Sequence, residues 1–320
     1  MRAVRLHALG GPEVLVIEDA PEPRAGRGKV VVRVAAAGLN FADTRFIRGQ
    51  YFVRPTLPDI PGMEAAGEIV EVGADVEGLA VGDRVIALAQ AAFAEKMIAS
   101  AKTTYRIPAG LDFDRAAALG IQGLTAHHLL FLFGRLARGE RVLIHAAAGG
   151  VGTLAVQLAK RAGAEVVASA SVEKHALLRE LGADTVVDSR QDVLRQVKTA
   201  VGEVDVVLEM IGGTDSYKKN FAMLRSRGRM IVFGAASGDT RGTFEPIGLM
   251  GKNLTISGYH LTPLLAEREL CAGPLAELCD LAASGALRVV IGGRYPLVEA
   301  ARAFAALETR GTVGKIIVNP

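Results

Sequence analysis

Apolar and polar positions follow two different rhythms along this chain. In the first 120 or so residues the apolar runs are short and punctuated. Val30-Val-Val-Arg-Val-Ala35 predicts a strand, Gly67-Glu-Ile-Val-Glu-Val-Gly73 alternates as a strand with one wet face, and Asp83-Arg-Val-Ile-Ala87 predicts another. Pro58, Pro61-Gly62 and Gly82 separate them. From about residue 123 the rhythm becomes strand then helix, repeated. A strand over 142–145 leads into a helix ending near Ala162, and a strand over 165–168 into a helix through Leu181. Segments 185–187, 205–209, 229–234 and 253–258 continue the series as strands. Such alternation predicts an α/β fold with a doubly wound parallel sheet and right-handed crossovers. Beyond residue 260 the pattern gives two helices and a final strand, Lys315-Ile-Ile-Val318. The expected organisation is a β-rich domain over 1–122, a nucleotide-binding domain over 123–262, and a segment, 263–320, that returns to the first domain. The substrate would then lie in a cleft between the domains.

Composition narrows the partners. The chain has 320 residues, half of them hydrophobic, and a formal net charge of only +3. No long basic run is present, which argues against nucleic acid. The N-terminal Met1-Arg-Ala-Val-Arg-Leu-His-Ala-Leu-Gly10 lacks the apolar core of a signal peptide. The apolar stretch 141–160 is interrupted by three glycines, His145 and Gln157, so it does not read as a membrane span. Cys271 and Cys279 lie about two turns apart in a helix-like segment, too far for a bridge within one straight helix. The expectation is a reduced, cytoplasmic protein.

The chemistry is densest at Arg141-Val-Leu-Ile-His-Ala-Ala-Ala-Gly-Gly-Val-Gly152. A strand, a small-residue turn and a helix follow in order, and the turn spells Ala147-x-Gly149-x-x-Gly152. This is the Rossmann dinucleotide fingerprint with alanine at its first glycine. Gly149, Gly150 and Val151 would bring backbone N–H groups to a pyrophosphate, and Gly152 would let the helix pack close to the strand. An acid about 20 residues further on selects NAD by binding the ribose 2′-hydroxyl. Here that position is Ser169, followed by Ser171 and Lys174, with Arg190 after the next strand. Hydroxyls and cations suit a 2′-phosphate, so the expected cofactor is NADPH, although Glu173 stands close by.

Further motifs extend across the whole chain. Ala36-Ala-Gly-Leu-Asn-Phe-Ala-Asp43, Leu57-Pro-Asp-Ile-Pro-Gly-Met-Glu-Ala-Ala-Gly67, Gly82-Asp-Arg-Val85 and Leu124-Thr-Ala126 join the glycine turn in a set that resembles the zinc-independent medium-chain dehydrogenase/reductases, in particular the quinone oxidoreductase and ζ-crystallin group. The resemblance implies a GroES-like β-rich catalytic domain, split in sequence, beside the Rossmann domain. It implies an NADPH-dependent reductase of a small-molecule quinone or α,β-unsaturated carbonyl, and a homodimer. Zinc relatives carry a cysteine where this chain has Asn40 and a histidine where it has Met63, so no metal is expected. The adjacent His127 and His128 point to different helix faces. Tyr51 is the leading candidate to meet the acceptor oxygen, and Asn40 to meet substrate or nicotinamide ribose. Asp43 is expected to hold the loop, and Thr125 to contact the nicotinamide side or to cap the helix it starts. The resemblance also brings Ser189, Phe233-Gly234-Ala235, Tyr259, Leu261 and Lys315 to the cofactor, with Ser189 a departure from the aromatic or histidine many relatives place beside the adenine. Two other readings stay open: an enoyl-thioester reductase, and a non-catalytic NADPH-binding structural protein.

Overall fold

Six apolar segments between residues 141 and 258 align as one parallel sheet in a computed structural model that describes residues 1–320. In spatial order they are Thr185–Asp188, Glu165–Ala170, Arg141–Ile144, Val204–Glu209, Leu224–Val232 and Thr255–Gly258. Numbered along the chain this is 3-2-1-4-5-6, the order of a dinucleotide-binding doubly wound sheet. Every adjacent pair is parallel. The central strands are buried on both faces, which is why Val142–Ile144 and Val206–Leu208 read as unbroken apolar runs. Leu143, Val167, Val187, Val207 and Met230 form their core. The order reverses between Arg141–Ile144 and Val204–Glu209. The chain from 123 to 263 forms this compact unit.

The other unit joins residues 1–122 to 264–320. Its sheet runs Ile291–Pro296, Lys315–Asn319, Lys29–Leu39, Ala65–Val72, Arg84–Ala87 and Thr104–Arg106, with Lys96–Ser100 also paired to Lys29–Leu39. Lys29–Leu39 is the organiser, since Lys96–Ser100 pairs with its first half and Lys315–Asn319 with its last residues. Phe93 and Phe304 meet edge to face at 5.6 Å in a core that mixes N- and C-terminal residues. Sequence patterning did not find the hairpin Arg2–Leu6/Leu15–Asp19 or the strands Lys96–Ser100, Thr104–Arg106 and Ile291–Pro296. These are short and carry charged or glycine residues on exposed positions. Both cysteines are free and buried in the helix Arg268–Ala283. No helix is long and apolar enough to cross a membrane.

Candidate functional site

The glycine turn is built by three local constraints. Ala146 takes a left-handed φ of 48°, and Gly149 N–H closes onto Ala146 O at 2.9 Å. Ala147 N–H is held by Ser169 O on the neighbouring strand at 3.0 Å. A Cβ on Gly152 would fall 2.5–2.6 Å from backbone atoms of Ala147, so only glycine lets helix Gly150–Arg161 start this close. The helix begins on Gly149, which offers no side-chain cap. Its first-turn N–H groups have no partner within the helix and stand at the positive dipole end, an anion site.

Ser169 is buried near the end of Glu165–Ala170, with no carboxylate in its place. Ser171, Lys174, Ser189 and Arg190 follow the C-terminal ends of this strand and the next. Arg190 pairs with Glu173 at 2.5 Å, and both are largely exposed, so the pair is weak and screened. Burial lowers the Lys174 ammonium pKa, while Glu173 raises it. Phe233 N–H donates to Glu209 O at 2.9 Å, placing Phe233-Gly234-Ala235 just past strand Leu224–Val232. Tyr259 is buried, its hydroxyl 3.2 Å from His128 Nδ1 and 3.5 Å from Thr125 Oγ1. Leu261 is also buried and opens the short helix Leu261–Leu264. Thr125 does not start a helix. It sits inside Gly120–His127, because Gly120 begins that helix beneath Glu64.

In the other unit Asn40 and Lys315 converge on Glu64, a carboxylate with no solvent exposure. Lys315 Nζ donates to Glu64 Oε1 at 2.6 Å and to Asn40 Oδ1 at 2.8 Å. Asn40 Nδ2 donates to Glu64 Oε1 at 2.8 Å and to Gly38 O at 3.2 Å. Gln122 Nε2 reaches Asn40 Oδ1 at 3.5 Å, and Ile121 N–H donates to Glu64 Oε2 at 2.6 Å. A Cβ on Gly38 would meet Lys315 Cε at 2.6 Å and Glu64 Oε1 at 2.8 Å, so the Ala-x-Gly-x-Asn segment needs its glycine to close this cluster.

Two residues expected at the cofactor have partners of their own here. The Asn40 amide donates to Gly38 O and Glu64 Oε1 and accepts from Lys315 Nζ. Lys315 is buried, and its ammonium is paired with Glu64. Burial lowers its pKa, while Glu64 works in the opposite direction. Spacing gave no hint of Glu64 as the hub, since its partners are 24 and 251 positions away.

Asp43 accepts the Asn40 backbone N–H at 2.8 Å through Oδ2, while buried Oδ1 has no partner. Burial pushes its carboxyl up to about 7. Burial also raises the Tyr51 phenol, with Asp43 adding to the effect. Tyr51 stacks edge-on against Phe52 at 5.3 Å, in the loop after Arg48, which pairs with Glu308 at 2.5 Å.

A pH dependence follows. Folded Asp43 keeps its proton up to about pH 7, whereas unfolded it releases it near 3.8. Its contribution is therefore complete below about pH 4 and is lost as pH rises through about 7. Asp43→Asn keeps the acceptor for Asn40 N–H and removes the titration. The wild type should lose on the order of 1–3 kcal/mol more than the variant between pH 5 and pH 8. Parallel melting curves across that range for the two proteins would contradict this assignment.

Two family models match the chain: an alcohol dehydrogenase GroES-like domain over residues 26–131 and a zinc-binding dehydrogenase domain over 150–271. The quinone oxidoreductase of Pseudomonas aeruginosa is 35% identical over 325 residues, covering 100% of this chain and 99% of that one. The human synaptic vesicle membrane protein VAT-1 homolog is 33% identical over 341 residues, covering 100% and 86%. Among solved structures, Escherichia coli quinone oxidoreductase complexed with NADPH superimposes with a TM-score of 0.93 at 33% identity, covering 100% of both chains.

Proposed function

Because the chain belongs to the quinone oxidoreductase group of the medium-chain dehydrogenase/reductase family, we propose that it is an NADPH-dependent reductase of a quinone or α,β-unsaturated carbonyl that works without zinc. The observation that carries this reading is the uncapped, glycine-lined helix start beside a neutral Ser169 and the cations Lys174 and Arg190. These residues fit NADPH: the helix N–H groups suit a pyrophosphate, and the serines and cations suit a 2′-phosphate. Bound NADPH supplies a hydride to the acceptor.

The chain itself must orient the acceptor, exclude water and provide a proton. Tyr51 keeps its phenol proton at neutral pH, since burial and Asp43 both raise its pKa, and it donates that proton to the acceptor oxygen. Asn40 and Met63 offer no zinc-ligand set, and no group of three His, Cys, Asp or Glu side chains converges to hold a metal. Asn40 instead fixes the start of helix Phe41–Phe46, and with it the loop that carries Tyr51. Thr125 and Tyr259 support the nicotinamide side, while Phe233, Gly234, Ala235 and Leu261 shape it. A homodimer through edge strand Thr255–Gly258, beside exposed Ile247 and Met250, and a cytoplasmic setting belong to the same proposal.

The test is NADPH oxidation with 1,4-benzoquinone, 9,10-phenanthrenequinone, an enone and crotonyl-CoA, for the wild type and Ser169→Asp. The wild type should turn over quinone or enone. The variant should show a KM for NADPH at least about tenfold higher, since its carboxylate would repel the 2′-phosphate. Turnover of crotonyl-CoA alone would favour the enoyl-thioester reading. Tight NADPH binding with no turnover would favour a structural role.

A further inference from the structure

Three polar side chains outside the sites above are buried where the sheet order reverses. Glu209 ends strand Val204–Glu209 with no solvent exposure. Its Oε1 accepts N–H groups from Ile211 and Gly212, each at 2.7 Å. Its Oε2 accepts the Ser216 hydroxyl at 3.0 Å and the Asn220 Nδ2 amide. Asn220 Oδ1 lies 2.9 Å from Nε2 of His145, the residue between strand Arg141–Ile144 and the glycine turn. The polarity of this chain of bonds is fixed by its acceptor end. Both Glu209 oxygens accept in all four bonds, so Asn220 presents Nδ2 to it and Oδ1 to His145, and His145 Nε2 must donate.

The Met210–Gly213 turn is held from its other side as well. Ala236 N–H donates to Met210 O and Ser237 N–H to Ile211 O, at 2.9 and 2.8 Å. Gly212 and Gly213 take φ of 79° and 92°, so the turn has a defined shape but little stiffness of its own. In doubly wound sheets a dinucleotide lies in the crevice that opens where the strand order reverses. Here the two turns that leave that point are joined by one hydrogen-bonded relay.

Resting on the NADPH reading, we propose that Glu209, Asn220 and His145 are positioning residues that fix the glycine turn and the Met210–Gly213 turn in a single register for the cofactor. None of the three touches the reacting atoms.

The polarity argument supplies the test. Asn220→Asp sets a second carboxylate against Glu209 and weakens the relay. Adding Glu209→Gln to the same chain restores it, since the new amide can donate to the new carboxylate, which still accepts from His145. NADPH dissociation constants are measured by calorimetry at least about 15 °C below each melting temperature. Asn220→Asp should bind NADPH at least tenfold more weakly than the wild type, and the double variant should return to within threefold. Wild-type affinity in the single variant, or a double variant no better than the single, overturns the proposal. If Asn220→Asp does not fold, Asn220→Ser breaks the relay without adding charge. A five- to tenfold weaker affinity then supports the proposal, and an unchanged one overturns it. A wild type that does not bind NADPH removes the cofactor reading itself, and the relay falls with it.

Discussion

Lys315→Met should destabilise the unit formed by residues 1–122 and 264–320 by about 3–5 kcal/mol. Methionine replaces most of the lysine stem, so lost packing is a minor part of this. The major part is Glu64, which keeps its charge and its burial but loses its only cationic partner. Asn40 Oδ1 loses a donor in the same step. Glu64→Gln in the Lys315→Met background should recover more than half of the loss, because a neutral amide still accepts from Ile121 N–H and no charge is stranded. Denaturant unfolding of the wild type and the two variants gives both numbers. A loss below about 1 kcal/mol for Lys315→Met would show that the pair is not what closes the cluster.

The second large effect divides the two glycines of the fingerprint by mechanism. Gly152→Ala puts a Cβ 2.5–2.6 Å from the Cα, C and O of Ala147. Those atoms belong to a turn tied to Ser169, so the helix must move instead. Leu154, Ala155, Val156 and Leu158 then leave their packing, with an expected loss of about 1–3 kcal/mol together with NADPH binding. Gly149→Ala meets only Ala146 O at 3.3 Å, and its φ of −76° suits any residue. It should fold like the wild type, and its added methyl should cost at least tenfold in NADPH affinity by standing where the backbone approaches the pyrophosphate. Melting temperature and calorimetry on both variants separate the cases. Equal affinity of Gly149→Ala and the wild type would argue against a cradle at that turn.

The nucleotide-binding sheet was readable because burial on both faces leaves uninterrupted Val, Ile and Leu runs, and because the glycine turn lies between a strand and a helix. Strands on the edge of the other unit were not, since exposed positions accept any residue that tolerates extension. Asn40 and Lys315 could be singled out from motifs, but their tasks depend on Glu64, which chain spacing does not connect to them. Glu209 and His145 carried a signal that periodicity passes over. Each ends or follows an apolar run that becomes a fully buried strand, and a polar group there requires a partner. Asn220 had no such mark, since it lies in an amphipathic helix among charged neighbours.

Strand Lys315–Asn319 inserts beside Lys29–Leu39, so a ribosome must add roughly 280 residues between making one strand and making its neighbour. At common synthesis rates this is on the order of tens of seconds. For most of that interval Glu64 has been made and its cation has not. The unit from 123 to 263 is complete long before, with every strand of its sheet already in hand. The half of the protein that begins first is thus the half that finishes last. Until those late residues arrive, the Ala37–Leu39 edge has no strand against it, an open edge of the kind other chains can pair with.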